Sequence, residues 1–305
     1  MGGCVQFKWV KPDRSLGNIR HRLTHVADRG IAVSETDIDG AEIAKWDHAV
    51  TEAVVGLLRP IVKRYFRSEV HGLDLLPRGG ALVVSNHSGG QYAPLDWAIF
   101  AVDFYDKSGY DRPIYSLTHD LVFHGPTAQL LLHIGCIHAT PDNAAKALRT
   151  GNLVLVFPGG DYDAYRPTLS ENVIDFGGHT GYARTAIDAG VPIVPAVSIG
   201  GQENEIYLSR GTGLLRALGL TKLWHKLTRI DVLPITFGFP FGLNIAATVN
   251  IPLPTKIVTQ VLKPIDIAAE FGDDPDVDEV DAHVRHVMQK GLDELAAKRR
   301  FPILG

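Results

Sequence analysis

The segment Asn86-His87-Ser88-Gly89-Gly90 follows a short apolar run, ALVVSN at 81–86, and Asp96 follows the histidine with eight residues between them. A neutral imidazole can take a proton from a hydroxyl when a carboxylate holds its other ring nitrogen protonated and fixes the ring. Asp96 is the nearest candidate, since no other acid lies between residues 87 and 102. Gly89 and Gly90 allow the chain between them to fold back so that the two side chains meet. The plainer alternative is a histidine that caps a strand end. A second constellation is Phe157-Pro158-Gly159-Gly160-Asp161-Tyr162-Asp163, with Arg166 close behind. Paired glycines after a strand expose backbone N–H groups that can hold an oxyanion or phosphate, and Arg166 offers a bidentate fork. A tight turn whose arginine pairs with Asp161 or Asp163 fits the same residues. A third segment, Val191-Pro-Ile-Val-Pro195, reads as a proline-punctuated strand.

These segments need a scaffold, and the hydrophobic pattern supplies one. ALVVSN, PIYSL (113–117), LVLVF (153–157) and PIVPAVSI (192–199) are apolar runs of the length expected for buried strands. Helical patterns stand between them: one opened by Pro94 with Asp96 in its first turn, one around 125–133 and one near 179–189. This alternation predicts an α/β domain with a mostly parallel central sheet flanked by helices, and with its site at the strand C-terminal ends. Apolar positions from Ile43 to Leu58 recur at helical spacing within an amphipathic helix expected over 41–66. Residues 1–67 therefore form an N-terminal arm and helical extension, and 68–305 the α/β domain, with a late strand at 257–263 and a closing helix over 276–300. Seven acids between 270 and 281 read as a solvated loop entering that helix.

Composition narrows the function classes. With 305 residues, 45% hydrophobic and 21% charged, the chain can bury a core without disulfides. A formal net charge of -4 gives no reason to expect nucleic acid as a partner. Two cysteines, Cys4 and Cys136, suit a reducing compartment. The N-terminus lacks the apolar core of an export signal, and Gln6 breaks the lipidation pattern that Met-Gly and Cys4 suggest. Residues 232–255 carry no charge, but Pro234, Pro240, Pro252 and Pro254 argue for a buried strand-and-loop region over a spanning helix. The histidines at 119, 124, 133 and 138, and the pair His283 and His286, lack carboxylate or thiolate complements at metal-binding spacing, so no metal and no bound cofactor are expected.

Taken together, in this order and at these intervals, the three segments resemble the glycerophospholipid acyltransferase superfamily, which includes lysophosphatidic acid acyltransferases. The resemblance covers about residues 68–202, including the lead-in Val70-His-Gly-Leu-Asp-Leu-Leu-Pro-Arg-Gly-Gly80. It implies acyl transfer from acyl-CoA or an acyl carrier protein to a lipid hydroxyl, with His87 as general base and Asp96 as its orienter. It further implies that Asn86, Ser88 and the Phe157-Pro158-Gly159-Gly160 block contact substrate. The family spacing places four residues between His and Asp; here there are eight, and Tyr92 occupies the usual position. The arginine common in the family's second block is absent near Gly135-Cys-Ile-His-Ala139, and Arg166 is its candidate substitute. The implied acceptor is by default lysophosphatidic acid, with a glycolipid or diacylglycerol as the rival. Ser88 as an acyl-enzyme nucleophile, and a catalytically silent lipid- or thioester-binding protein, are further alternatives.

A lipid substrate requires a route to a membrane. Residues 206–230 interleave leucines with basic residues and hold no acid. Arg216, Lys222, Trp224 and Lys226 are the candidate contacts with an anionic membrane surface. A cytoplasmic protein bound peripherally to the inner face of the membrane is the expectation; a core-packing helix with a solvated basic face is its alternative.

Overall fold

The computed structural model describes residues 42–88, 93–123, 125, 127–228, 230–245, 250–299 and 301. The arm over 1–41, the Gly89-Gly90 pair, Tyr92 and Arg229 lie outside them. Ten strands are present among the described residues: β1 Glu69–His71, β2 Ala81–Ser85, β3 Ile114–Thr118, β4 Cys136–His138, β5 Leu153–Val156, β6 Ile193–Ile199, β7 Ile206–Ser209, β8 Ile235–Gly238, β9 Gly242–Ile245 and β10 Val258–Val261. The α-helices are α1 His48–Pro60, α2 Ala93–Ser108, α3 Thr127–His133, α4 Pro141–Arg149, α5 Gly160–Ala164, α6 Gly181–Ala189, α7 Thr212–Ala217, α8 Thr221–Thr228, α9 Ile267–Phe271 and α10 Val277–Lys298.

Seven strands form one sheet in the order β1-β10-β6-β2-β5-β3-β4. From β6 to β4 every neighbouring pair is parallel; β10 runs antiparallel to β6, and β1 runs with β10. The sheet is thus mostly parallel and flanked by helices, as the alternating pattern predicts. Side chains alternate across it. Leu82, Val84 and Val154 pack with Ala186 of α6 and with Val284, Met288 and Leu292 of α10. Ala81, Val83 and Leu155 pack with Ile99, Val102 and Phe104 of α2 and with Val55 of α1. Both faces of the central strands are covered, which is why they read as unbroken apolar runs.

The helical extension is divided. A 3₁₀ turn at Glu42–Lys45 precedes α1, whose N-cap Asp47 accepts the Val50 N–H at 2.9 Å, and α1 ends at Pro60 in a π-turn over Ile61–Tyr65. Proline supplies no N–H to continue the ladder, so the regular helix stops there. Residues 232–255 depart further from expectation. They supply β8 and β9 of a separate three-stranded sheet, β7-β8-β9, and Phe237, Phe239, Phe241, Leu243 and Ile245 are exposed rather than buried. Absence of charge predicted burial, but hydropathy does not record which side of a strand faces the protein. Residues 206–230, expected as one amphipathic segment, divide into β7 and two short helices, α7 and α8.

Candidate active site

Adjacent parallel strands bring their C-terminal loops together. β5, β2 and β6 lie side by side, with Val84 opposite Val156 and Ser85 opposite Ala196. The His87 segment after β2 therefore sits between the Phe157 segment after β5 and residues 200–203 after β6. Each neighbour holds it. Asn86 is buried, and its side-chain amide donates to the Ser198 carbonyl at 2.9 Å while its Oδ1 accepts the Ser198 N–H at 2.8 Å. Ser88 is also buried, and its Oγ accepts the Gly201 N–H at 2.8 Å. A Cβ at residue 201 would lie 1.9 Å from the Ser88 carbonyl oxygen, so only glycine permits this approach. Through these bonds both side chains lock the loop, and Asn86 also lines the cavity beside His87 and Asp96.

His87 and Asp96 meet. His87 Nδ1 lies 2.9 Å from Asp96 Oδ2, and both side chains are nearly buried. The same carboxylate accepts the Ser88 N–H, at 3.2 Å to Oδ2 and 3.3 Å to Oδ1. An ionised carboxylate at Nδ1 selects the tautomer with the proton there and the lone pair on Nε2, the arrangement of a general base. Phe157 stacks on the imidazole, with centroids 4.3 Å apart and planes inclined by 14°, which fixes the ring from a second direction. A narrow cavity lies beside the pair, lined in part by Asp96, Ile99, Phe100 and Phe157.

Asp163 and Arg166 form the third support. Asp163 is fully buried; its Oδ2 accepts the backbone N–H of His87, and its Oδ1 accepts from Arg166 Nη1. Arg166 also donates to the carbonyls of His87 at 3.2 Å and Val173 at 2.9 Å, and is itself 1% exposed. Burial pushes the Asp163 carboxyl above the usual carboxylate range, against the opposing pull of the Arg166 charge. Of the two readings of Arg166, the structure takes the pairing with Asp163: the guanidinium braces the His87 loop from behind and presents no free fork to a phosphate. Gly160 differs from expectation too. Its N–H closes a turn on the Phe157 carbonyl at 3.1 Å, which leaves Gly159 as the glycine of the pair with a donor to offer. Gly159 is itself confined, since a Cβ there would lie 2.3 Å from the Asp163 Cβ. Pro158 begins this turn and is buried.

The bracing role of Asp163, the stacking of Phe157 and the contacts from Ser198 and Gly201 are absent from the sequence reading. The sequence marks Asp163 only as a candidate partner for Arg166. Adjacency of the β2 and β6 loops, which follows from parallel pairing, is the signal that points to Gly201. Of the four membrane candidates, Arg216, Lys222 and Lys226 are exposed. Trp224 is half-buried, and its indole N–H donates to the Val232 carbonyl at 2.9 Å. Among the described residues no helix is long and apolar enough to cross a membrane, and no group of three or more His, Cys, Asp or Glu is placed to hold a metal ion. His138 bonds Glu42 at 2.6 Å and stacks on Phe123.

A buried histidine–carboxylate pair on the C-terminal edge of a mostly parallel sheet, held by loops from both neighbouring strands, defines an α/β protein with a candidate acid–base site. Residues 67–199 match the family model for acyltransferases. An uncharacterised protein of Mycobacterium tuberculosis is 31% identical over 264 residues, 85% of this chain and 70% of that protein. The Mus musculus protein called "DGAT1/2-independent enzyme synthesizing storage lipids" is 30% identical over 198 residues, 64% of this chain and 55% of its own length. The 1-acyl-sn-glycerophosphate (LPA) acyltransferase PlsC of Thermotoga maritima superposes with a TM-score of 0.48 at 17% identity, over 80% of this chain and 81% of that one. The chain belongs to the acyltransferase family.

Proposed function

We propose that this protein transfers a fatty acyl group from an acyl thioester to a hydroxyl of a glycerolipid. The observation that carries the mechanism is the His87 Nδ1 to Asp96 Oδ2 contact of 2.9 Å. His87 Nε2 takes the proton of the acceptor hydroxyl as the oxygen attacks the thioester carbonyl. Asp96 holds the ring and stabilises the imidazolium, and collapse of the tetrahedral intermediate expels the thiolate, which takes up a proton. The Gly159 N–H is the candidate donor to the developing oxyanion. General-base assistance of this kind contributes roughly 10²- to 10⁴-fold. The burial of Ser88 Oγ and its bond to Gly201 support direct attack over a seryl intermediate. The donor is acyl-CoA or an acyl carrier protein, and the reaction takes place at a membrane surface on the cytoplasmic side.

Lysophosphatidic acid is the acceptor suggested by the sequence resemblance. A neutral acceptor such as diacylglycerol is favoured by one observation, that Arg166 is committed to Asp163. Purified protein is to be given labelled palmitoyl-CoA with a panel of lysophospholipids, glycerol-3-phosphate, diacylglycerol and glycolipids, with His87→Ala alongside. Product from wild type alone supports the reading and names the acceptor. Equal product from both, or thioester and lipid binding without turnover for any acceptor or carrier, rejects it in favour of another base or of a silent binding protein.

A further inference from the structure

The three-stranded sheet is inverted in polarity. Its register places Tyr207, Thr236 and Asn244 in one row, and Ile206, Phe237 and Leu243 in the next, with Ile245 paired to Ile235 on the same side as Phe237. The row with hydroxyl and amide groups faces the protein, 2–9% exposed, whereas Ile206, Leu208, Phe237, Leu243 and Ile245 are 47–62% exposed. A sheet with one solvated face ordinarily shows the opposite pattern, apolar inward and polar outward. At the hairpin tip Phe239 and Phe241 flank Pro240 and are 69% and 59% exposed. An apolar face of this kind, continuous across three strands, marks an interaction surface.

The surroundings identify what covers it. β7 leads directly into α7 and α8, where exposed Leu214, Leu218 and Leu223 alternate with exposed Arg216, Lys222 and Lys226. No acid occurs in 206–230 and no charge of either sign in 232–255. Apolar area bordered by cations matches a bilayer with anionic head groups, which offers hydrocarbon to the sheet and phosphates to its border. A second copy of this chain would bring two sets of cations towards each other. The sheet is also tied to the candidate active site: the Tyr207 N–H donates to Thr168 Oγ1 at 2.9 Å, and Arg210 donates to the Tyr162 carbonyl at 2.7 Å and lies over the Tyr162 ring.

We propose that the outward face of β7, β8 and β9, with Phe239 and Phe241 at its tip, inserts into the interfacial region of an anionic bilayer. Arg216, Lys222 and Lys226 rest on the head-group phosphates. This rests on the acyl-transfer reading in that it explains how a lipid hydroxyl reaches His87, and it relocates the main membrane contact from the basic helices to the sheet. Trp224 takes no part, since its indole is turned inward.

The test is co-sedimentation of the full chain with vesicles of phosphatidylcholine and phosphatidylglycerol. Wild type is compared with Phe239→Ser/Phe241→Ser and with Leu243→Ser/Ile245→Ser, and thermal melting confirms that each variant folds. Both double variants are expected to lower the partition constant at least about tenfold, given the apolar area they remove from the interface. Their turnover of a water-soluble short-chain thioester and acceptor is expected to match wild type. Vesicle binding that is absent in wild type, or equal in all three proteins, overturns the proposal. So does a wild-type dimer in solution that the same substitutions dissociate, or photocrosslinking from position 243 to residues 1–41 in place of lipid. Vesicle binding without acyl transfer in any assay defeats the enzymatic reading and leaves the surface standing; soluble turnover without vesicle binding does the reverse.

Discussion

His87 and Asp96 are in contact across eight intervening residues, and the carboxylate that reaches the imidazole also accepts the N–H of Ser88. Asp96 is fixed by the first turn of α2, while His87 is fixed by β2 and by its neighbours' loops, so the pair does not depend on a four-residue spacing. Replacing Asp96 by Asn sets an amide donor against Nδ1 and favours the tautomer with its proton on Nε2. Asp96→Asn is expected to lower kcat about 10²- to 10⁴-fold with little change in KM, and His87→Gln at least as much. Steady-state thioester release, with melting curves for both variants, checks this; Asp96→Asn turnover within a few-fold of wild type removes the orienting role.

Ser88→Ala separates a structural hydroxyl from a nucleophile. Loss of Oγ leaves the buried Gly201 N–H without its acceptor, at a cost of about 1–3 kcal/mol in stability. Turnover is expected to stay within about tenfold of wild type, since the alternative role as covalent nucleophile would remove orders of magnitude. Denaturant unfolding and a rate measurement on the same sample decide the matter, and a trapped acyl ester on Ser88 would contradict the expectation.

Arg166→Leu strands the Asp163 carboxyl in the interior. Breaking a buried ion pair in this way costs about 3–5 kcal/mol, less whatever is recovered when Asp163 takes up a proton. The double variant Asp163→Asn/Arg166→Leu is expected to be the more stable of the two, although the His87 loop loses a brace in both. A phosphate-binding arginine would behave differently, raising KM for phosphorylated acceptors alone and leaving stability untouched. Urea unfolding beside an acceptor panel distinguishes the two.

Cys136 is buried, and burial pushes its thiol up to about 12. The folded chain therefore keeps a proton that the unfolded chain releases near its ordinary value of about 8.5. The contribution of this group to stability is complete below that pH and declines as pH rises towards 12. The thiolate is the reactive species, so in a Cys4→Ser background iodoacetamide is expected to leave the native protein unmodified at mildly alkaline pH and to label it once urea is added. Mass spectrometry reads the adduct, and rapid native labelling would contradict the burial.

How much was legible depended on whether the determinant was local. The apolar runs that became β2, β3, β5 and β6 were read to within a residue or two, because strands buried on both faces announce themselves by composition. The closing helix, expected over 276–300, runs from Val277 to Lys298. His87 and Asp96 were paired by the scarcity of acids near the histidine. By contrast, β1 and β4 have three residues each, too few for a period to show. α4 carried a usable signal in Thr140, whose side chain caps it, and in Pro141 at its first position. Gly201 acts on Ser88 from 113 residues downstream, a relationship that only strand order reveals. For Arg166 the sequence leaves two uses open, a phosphate fork and a pairing with Asp161 or Asp163, and depth, which a linear sequence does not state, separates them.

The strand order also sets a timetable for biosynthesis. β1, at residues 69–71, meets the sheet only through β10, at residues 258–261. While β10 is still within the ribosome, the open side of β6 is a row of unpaired backbone groups and β1 has no strand to join. Both are templates for pairing with another nascent chain. Residues 67–199, which hold His87, Asp96 and Arg166, are thus synthesised well before the strand that closes their sheet. Pairings of such sequence separation form slowly. The cell must shield this intermediate for as long as synthesis of the later segment takes, so expression at lowered temperature or with a holdase chaperone is where recovery of folded protein will be greatest.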